Sequence, residues 1–175
     1  MENKNNARIF TEENGHYAFD CSSAVWATDQ IHTVYNSLGA PLKDVDLAIE
    51  DTEGVILVEY KNANIPEAVN RNAFQPDSEK KIMDVSVKFY DSLHYLRLAG
   101  KDESVSYVYV LEYPHGDSVT RRRLRNRIQT RLPFRLQEAA GNGRKLIERL
   151  EVLSIQEWNA HARYGKFPLG KVEKH

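Results

Sequence analysis

Two β-rich runs joined by a short turn constrain the fold of this chain most strongly. Residues 45–50 and 55–61 are rich in Val, Ile and Leu. The intervening Asp51-Thr52-Glu53-Gly54 has the Asp-first, Gly-last pattern of a type I turn. The sequence therefore predicts an antiparallel hairpin whose symmetry axis passes between the two central turn residues.

This symmetric register would gather four charged side chains on one face of the hairpin. Asp46 would lie opposite Glu59, and Asp44 opposite Lys61. Two opposed carboxylates repel each other unless a cation lies between them, and Mg²⁺ binds one or two carboxylates together with water and phosphate oxygens. The pattern thus predicts a metal site. A left-handed bulge at Gly54 would turn Glu59 to the other face, so the hypothesis requires a symmetric turn.

Lys61 follows Glu59 by two residues and therefore shares its face of the strand. An ammonium group there can hold an attacking water or stabilise the charge that develops during phosphodiester hydrolysis. The alternative interpretation is that Asp46, Glu59 and Lys61 form a structural salt-bridge cluster on an exposed strand face. The residues alone leave both interpretations open.

The remaining pattern predicts one α/β domain over residues 1–175, with a loose leader over 1–14 and a frayed tail over 171–175. Apolar spacing predicts helices over 22–38, 78–98, 118–132, 134–146 and 155–163, and further strands over 105–112 and 151–153. Because the strand over 105–112 is apolar on both faces, we expect it in the middle of a mixed sheet with helices on each side.

Composition excludes several classes of protein. The formal net charge is -1, so binding to a polyanion would depend on local clusters of basic residues. The single cysteine, Cys21, excludes an intramolecular disulfide. No apolar stretch approaches the roughly 20 residues of a membrane span, and the polar start lacks a signal core, so we expect a soluble cytoplasmic protein.

A cluster of arginines between residues 121 and 135 is the strongest local concentration of positive charge. Leu124, Ile128 and Leu132 can dock this helix on the core, so we expect its arginines to face outward. Arginine matches phosphate oxygens well, which suggests a nucleic acid clamp. The candidate contacts, including one lysine of the preceding helix, are Arg121, Arg122, Arg125 and Lys88. Alternatively, this is a solvated helix paired with acidic neighbours.

Asp46, twelve intervening residues and then Glu59-Tyr60-Lys61-Asn62, behind an apolar strand and ahead of a helix, resemble the PD-(D/E)XK nuclease superfamily. The resemblance implies a restriction endonuclease-like αβα sandwich with a central mixed sheet. It implies that Asp46 and Glu59 bind Mg²⁺ or Mn²⁺, and that Lys61 assists the hydrolytic water. The implied activity is that of an endonuclease, with DNA as the expected substrate and a homodimer as the expected assembly.

Two features of the chain depart from that superfamily. Val45 precedes Asp46 where many members have proline, and the first predicted helix offers no glutamate as a further ligand. Asp20 or Asp29 would have to substitute for it. A catalytically inactive nuclease-fold module that binds nucleic acid or a protein partner is therefore the alternative function.

Overall fold

The computed structural model describes residues 8–173, which form a mixed α/β structure. Its strands are β1 (Ile9–Thr11), β2 (Tyr17–Asp20), β3 (Trp26–Thr28), β4 (Leu47–Asp51), β5 (Gly54–Asn62), β6 (Val105–Glu112), β7 (Ile147–Leu153) and β8 (Leu169–Lys171). Its α-helices are α1 (Ile31–Ser37), α2 (Glu79–Leu98), α3 (Ser118–Gln129), α4 (Phe134–Ala140) and α5 (Ile155–Ala160).

The main sheet within these residues has five strands in the order β3-β4-β5-β6-β7. Strands β3, β4 and β5 are antiparallel, whereas β5, β6 and β7 are parallel. Helix α2 connects β5 to β6, and α3 and α4 connect β6 to β7. Parallel neighbours need such long connections, so the mixed sheet follows from the alternation of helices and strands after β5. The predicted mixed sheet is confirmed.

The hairpin of β4 and β5 has the symmetric register that the sequence predicts. Leu47 pairs with Val58 and Asp51 with Gly54, so only Thr52 and Glu53 lie in the loop. Gly54 has a φ of 119°, which glycine adopts without strain, yet the pairing continues through it without a slip. The bulge that would have separated the carboxylates is absent from this hairpin.

The helix predicted over 22–38 is wrong in its first half. Trp26–Thr28 forms β3 and pairs with β4, and only Ile31–Ser37 is helical. Val, Trp and Thr favour an extended backbone, and pairing with β4 supplies hydrogen bonds that no local spacing reveals. The other predicted helices exist, but α3, α4 and α5 end earlier than expected, and β7 begins before the expected residue 151.

Two different layers cover the main sheet. On one face, helices α1, α2 and α3 bury residues such as Ile82, Phe89 and Tyr107. On the other face lie Trp158 of α5, Tyr164, Phe167 and a second sheet of order β1-β2-β8. This second sheet was not predicted, because it pairs residues near both ends of the chain.

The leader and the tail are therefore more ordered than expected. Ile9–Thr11 pairs with β2, so the leader over 1–14 is ordered from residue 9 onward within the described residues. Lys171 pairs with Tyr17, so the start of the frayed tail over 171–175 also belongs to the second sheet. Residues 1–7 and 174–175 lie outside the described residues. No helix within residues 8–173 combines the length and the apolar character needed to cross a membrane.

Arg163 connects the hairpin turn to the rest of the molecule. Its Nε and Nη2 each donate to the Asp51 carboxylate at 2.8 Å, its Nη2 also donates to the Gly54 carbonyl at 3.1 Å, and its Nη1 donates to Ser106 Oγ at 3.0 Å. The Arg163 and Asp51 side chains are only 9% and 8% exposed. A buried, bidentate pair of this kind holds the turn in one orientation against β6.

We expect Arg163→Ala to lower the free energy of unfolding by about 3–5 kcal/mol, because it leaves the buried Asp51 carboxylate without a counterion. Urea-induced unfolding measures this change. Arg123→Ala is the control, since Arg123 is exposed and makes no hydrogen bond or ion pair within the described residues; it should change stability by no more than about 0.5 kcal/mol. Equal effects of the two substitutions would contradict the role of Arg163.

Candidate active site in the interlayer cleft

A cleft of about 720 Å³ opens at the end of the main sheet where β4 begins and β5 ends. Its floor carries Asp46 and Glu59. Its walls come from three segments: the cleft-facing side of α2, the connection from α1 to β4, and the β1–β2 connection around Glu12 to Asn14. The cleft thus lies between the two layers that cover the sheet, which is a common location for ligand sites in α/β proteins.

The hairpin register brings Asp46 and Glu59 side by side. Leu47 pairs with Val58, so the residues one step further along each strand are opposed. The backbone N–H of Tyr60 donates to Asp46 Oδ2 at 2.7 Å, which holds the aspartate beside β5. Side chains alternate across a strand, and Ala48 and Leu57 face the helices, so both carboxylates share one face, as predicted, and this face is the one that the helices cover.

Lys88 of α2 completes this pair of carboxylates. Its Nζ donates to Glu59 Oε1 at 2.7 Å. The Glu59 side chain is only 10% exposed, and its second oxygen, Oε2, has no hydrogen-bond partner among the described residues. One oxygen of this carboxylate is therefore neutralised, while the other is a buried acceptor that a ligand can satisfy.

The electrostatics of the floor are dominated by burial. Desolvation, together with the Asp46 charge, raises the pKa of Glu59 to about 8 although Lys88 opposes the shift. Asp46 keeps solvent-accessible surface, yet desolvation at the cleft floor also raises its pKa, against the effects of Lys88 and the Tyr60 N–H. Burial lowers the pKa of Lys88, but the charges of Glu59 and Asp46 outweigh it, so the net shift is upward.

Lys61 lies on the same face as Glu59 and lines the cleft. Its side chain is exposed and makes no hydrogen bond or ion pair within residues 8–173. Lys81 on the first turns of α2 is in the same situation. These two ammonium groups are therefore available to an anionic ligand, in contrast to Lys88 and to Lys43, which pairs with Asp84.

The rim of the cleft carries further polar groups, and Asp44 is one of them. His32 Nδ1 lies 3.0 Å from Asp44 Oδ1, so Asp44 interacts with a histidine. It forms no ion pair within residues 8–173 with Lys61, the residue opposite it in the predicted register. Asp29 also lines the cleft and accepts a hydrogen bond from the Gln30 side chain. Asp20 does not line the cleft and instead accepts hydrogen bonds from Ser22. Of the two proposed substitute ligands, only Asp29 is near the site.

The arginines of α3 do not line the cleft. Arg121 is buried in a bidentate pair with Glu157 of α5, with both distances 2.9 Å, so the expectation that it faces outward is wrong. Its position beside Leu124 on the docking face of the helix explains the burial. Arg127 donates to Glu79 of α2 at 2.7 Å.

Arg122 and Arg125 face away from the cleft. Arg125 and Arg127 are roughly 200° apart around the helix axis, and Arg127 reaches α2, so Arg125 lies on the flank turned away from α2. Arg122, three residues before Arg125, shares that flank. Arg122 is exposed, whereas Arg125 is half-buried: its Nη2 donates to the Asn126 side chain at 3.1 Å, and its Nε is buried without a hydrogen-bond partner among the described residues. These two arginines can contact phosphates only outside the cleft.

The carboxylates fit a hard divalent cation. Mg²⁺ takes oxygen ligands and often only one or two carboxylates, and the free Glu59 Oε2 is an acceptor of the required type. Within residues 8–173, no group of three or more His, Cys, Asp or Glu side chains is arranged to hold a metal. Asp46 and Glu59 would therefore provide the whole protein contribution, with the remaining ligands coming from water and substrate.

The sequence predicts Lys88 as a nucleic acid contact and gives no indication that it contacts Glu59. The two residues are separated by 29 positions, and their contact depends on how α2 lies across the sheet. The available sequence signal is that Lys88 lies beside Val85 and Phe89 of the apolar stripe of α2, which places it at the edge of the face that covers the sheet. Glu12 and Glu13 line the cleft because they lie on the connection between β1 and β2, and the sequence does not predict the second sheet that these strands form.

The raised pKa of Glu59 predicts a pH-dependent stability difference between the wild type and Glu59→Gln. Between about pH 4.5 and 8 the unfolded chain loses the Glu59 proton while the folded chain keeps it, so wild-type stability falls as pH rises. Glu59→Gln does not lose stability in this way. The difference in free energy of unfolding between the wild type and the variant should therefore change by up to about 1.4 kcal/mol per pH unit. Urea unfolding with EDTA across this range measures it; a constant difference would contradict the shift.

No family model, curated protein or solved structure matches this chain. The functional conclusion therefore rests on the residues of the cleft.

Proposed function

We propose that the protein is a metal-dependent nuclease that hydrolyses phosphodiester bonds of nucleic acid, with DNA as the expected substrate. The observation that carries the proposal is the pair of Asp46 and Glu59 in a cleft, with Glu59 Oε2 buried and without a partner among the described residues. The finer architecture that belongs to the proposal is a restriction endonuclease-like αβα sandwich, and the enzyme type is PD-(D/E)XK.

Each residue of the floor has a distinct role in this proposal. Asp46 and Glu59 hold Mg²⁺ or Mn²⁺, which when bound supplies charge neutralisation at the phosphate and activation of water. Lys88 fixes one Glu59 oxygen at 2.7 Å and so aims the other toward the ligand. Lys61, exposed on the same face, positions the attacking water or stabilises the charge that develops on the phosphate.

The charge of the cleft supports a role for a cation. The acidic residues that line it outnumber the lysines by seven to four. They are Glu12, Glu13, Asp29, Asp44, Asp46, Glu59 and Asp84, against Lys43, Lys61, Lys81 and Lys88. A phosphodiester entering this field is repelled unless positive charge is added near the two floor carboxylates. A divalent ion at Asp46 and Glu59 supplies that charge where the repulsion is strongest.

The alternative is an inactive module with the same fold that binds nucleic acid or a protein partner. The Lys88 ammonium favours it, because a cation already contacts Glu59 and reduces the need for metal. In that case Asp46, Glu59 and Lys88 form a structural ion cluster. The two functions differ in whether divalent metal changes the chemistry of a bound strand.

Cleavage of nucleic acid in Mg²⁺ or Mn²⁺ is the direct test, with plasmid and single-stranded DNA as substrates. We expect wild-type activity that EDTA abolishes, and a loss of at least about 100-fold in Glu59→Ala and in Lys61→Ala, because each removes a group that acts on the reacting phosphate. Lys80→Ala is the matched control, since Lys80 is exposed on α2 and does not line the cleft.

Metal-dependent cleavage that survives both site substitutions would contradict the assignment of the active site. An absence of cleavage with every DNA and RNA substrate would instead favour the inactive module. A Mn²⁺-dependent rise in melting temperature that is lost in Glu59→Gln would still locate the metal in that case.

Arg122→Ala combined with Arg125→Ala tests the predicted nucleic acid contacts of α3. Each arginine that neutralises a phosphate contributes about one to the slope of log affinity against log salt, so the double variant should flatten that slope by about two. Arg127→Ala with Arg131→Ala is the control on the same segment, because both already pair with Glu79. Equal slopes for the wild type and the first variant would exclude these residues from the interface.

A further inference from the structure

We propose that the cleft accepts a single strand of nucleic acid, such as an unpaired end or a splayed region, and not a continuous duplex. The inference rests on the proposed function for its choice of a polynucleotide ligand. It is carried by the depth of the floor, the size of the cleft, two partly exposed aromatic rings and the balance of charge.

The reactive carboxylate is recessed. The Glu59 side chain is only 10% exposed, and the walls around it come from layers on both sides of the main sheet. A scissile phosphate must therefore descend between the walls to reach a metal ion held by Asp46 and Glu59 Oε2. A duplex holds its phosphates on the outside of a rigid helix, which is wider than its own major groove of about 12 Å. A single strand is flexible and can bend one phosphate inward.

The volume of the cleft agrees with a narrow ligand. At about 720 Å³ it falls within the range of sites that enclose one small molecule, roughly 300–1,000 Å³. Such a space accommodates a short stretch of one strand. Entry of both strands of a duplex would require the β1–β2 connection, which carries Glu12 and Glu13, to move away.

Two partly exposed aromatic rings line the cleft from opposite layers. Phe10 on β1 packs with the layer that contains the second sheet, and Phe74, which precedes α2, packs with the helical layer. Both rings are only partly buried, although Phe74 contacts Tyr113 edge to face. Bases stack on such rings only when they are unpaired and unstacked from their neighbours. This arrangement suits a single strand.

The charges of the cleft favour a ligand that brings only a few phosphates into it. Duplex DNA carries one negative charge per about 1.7 Å of axis, twice the linear density of one strand. The cleft has more carboxylates than lysines. Of the four lysines that line it, Lys61 and Lys81 have no acidic partner among the described residues. Two ammonium groups and one metal can neutralise a few successive phosphates of one strand but not the backbones of two.

Binding to the wild-type protein in Ca²⁺ tests the inference, because Ca²⁺ takes oxygen ligands as Mg²⁺ does and leaves both floor carboxylates in place. Recovery of intact probe on a gel confirms that binding and not cleavage is measured. The probes are a labelled oligothymidylate of about 12 nucleotides, within the usual size of single-strand sites, and its blunt duplex. We expect the single strand to bind at least about tenfold more tightly than the duplex. Fluorescence anisotropy at fixed salt measures both affinities.

Substitutions of the aromatic rings identify the contact. Under the same conditions, Phe74→Leu keeps an apolar side chain but removes the ring, and should weaken single-strand binding by about 5- to 100-fold. Phe74→Trp should retain it, and Phe10→Leu tests the opposite wall if Phe74→Leu lowers the melting temperature. Met83→Leu is the control, since Met83 is exposed on α2 and does not line the cleft.

A duplex that binds as tightly as the single strand overturns the inference, and so does unchanged binding in both Phe→Leu variants. These outcomes are distinguishable from failure of the proposed function. A protein that cleaves nothing but prefers the single strand refutes the nuclease and supports the strand preference. A protein that cleaves intact duplex and binds both probes equally supports the nuclease and refutes the strand preference.

Discussion

The candidate site depends on the pairing of β4 with β5, because this register places Asp46 and Glu59 on the same face of the sheet. Side chains alternate across a strand, so a slip of one residue would move Glu59 to the face covered by the second sheet and leave Asp46 alone. The two-residue loop prevents that slip, and the Arg163 contacts with Asp51 and the Gly54 carbonyl hold the turn. A buried ion pair far from the cleft thus supports the geometry of its floor.

The second constraint is the position of α2 over the end of β5. The helix packs on the sheet through Val85 and Phe89, and the same packing brings Lys88 to Glu59. Burial raises the pKa of Glu59, the neighbouring Asp46 charge raises it further, and Lys88 does not offset the two effects. Ionisation of Glu59 therefore lowers the free energy of unfolding, and a cation bound to the carboxylate would restore it. Perturbed pKa values of this kind cluster at functional sites.

The parts of the fold that the sequence predicts are those fixed by local rules. The hairpin follows from its turn, and α2 follows from its apolar stripe and from Ser78, whose side chain caps the helix. Strand β3 and the second sheet were missed because their partners are distant: β3 pairs with β4, and Tyr17 pairs with Lys171. The same distinction applies to the site. Asp46 and Glu59 are related by a turn, whereas the Glu59–Lys88 and Arg121–Glu157 contacts depend on packing between elements.

The missed second sheet has the greatest effect on the functional argument. From the hairpin and α2 alone, the carboxylates would lie on an open surface, and a basic helix nearby would be the natural site for a duplex. The β1–β2 connection instead closes one side of the cleft with Glu12 and Glu13, and Arg122 faces away. Negative charge on this wall repels phosphates and leaves the bases as the part of a strand that can approach it. The wall therefore selects against a rigid duplex backbone while leaving room for one bent strand.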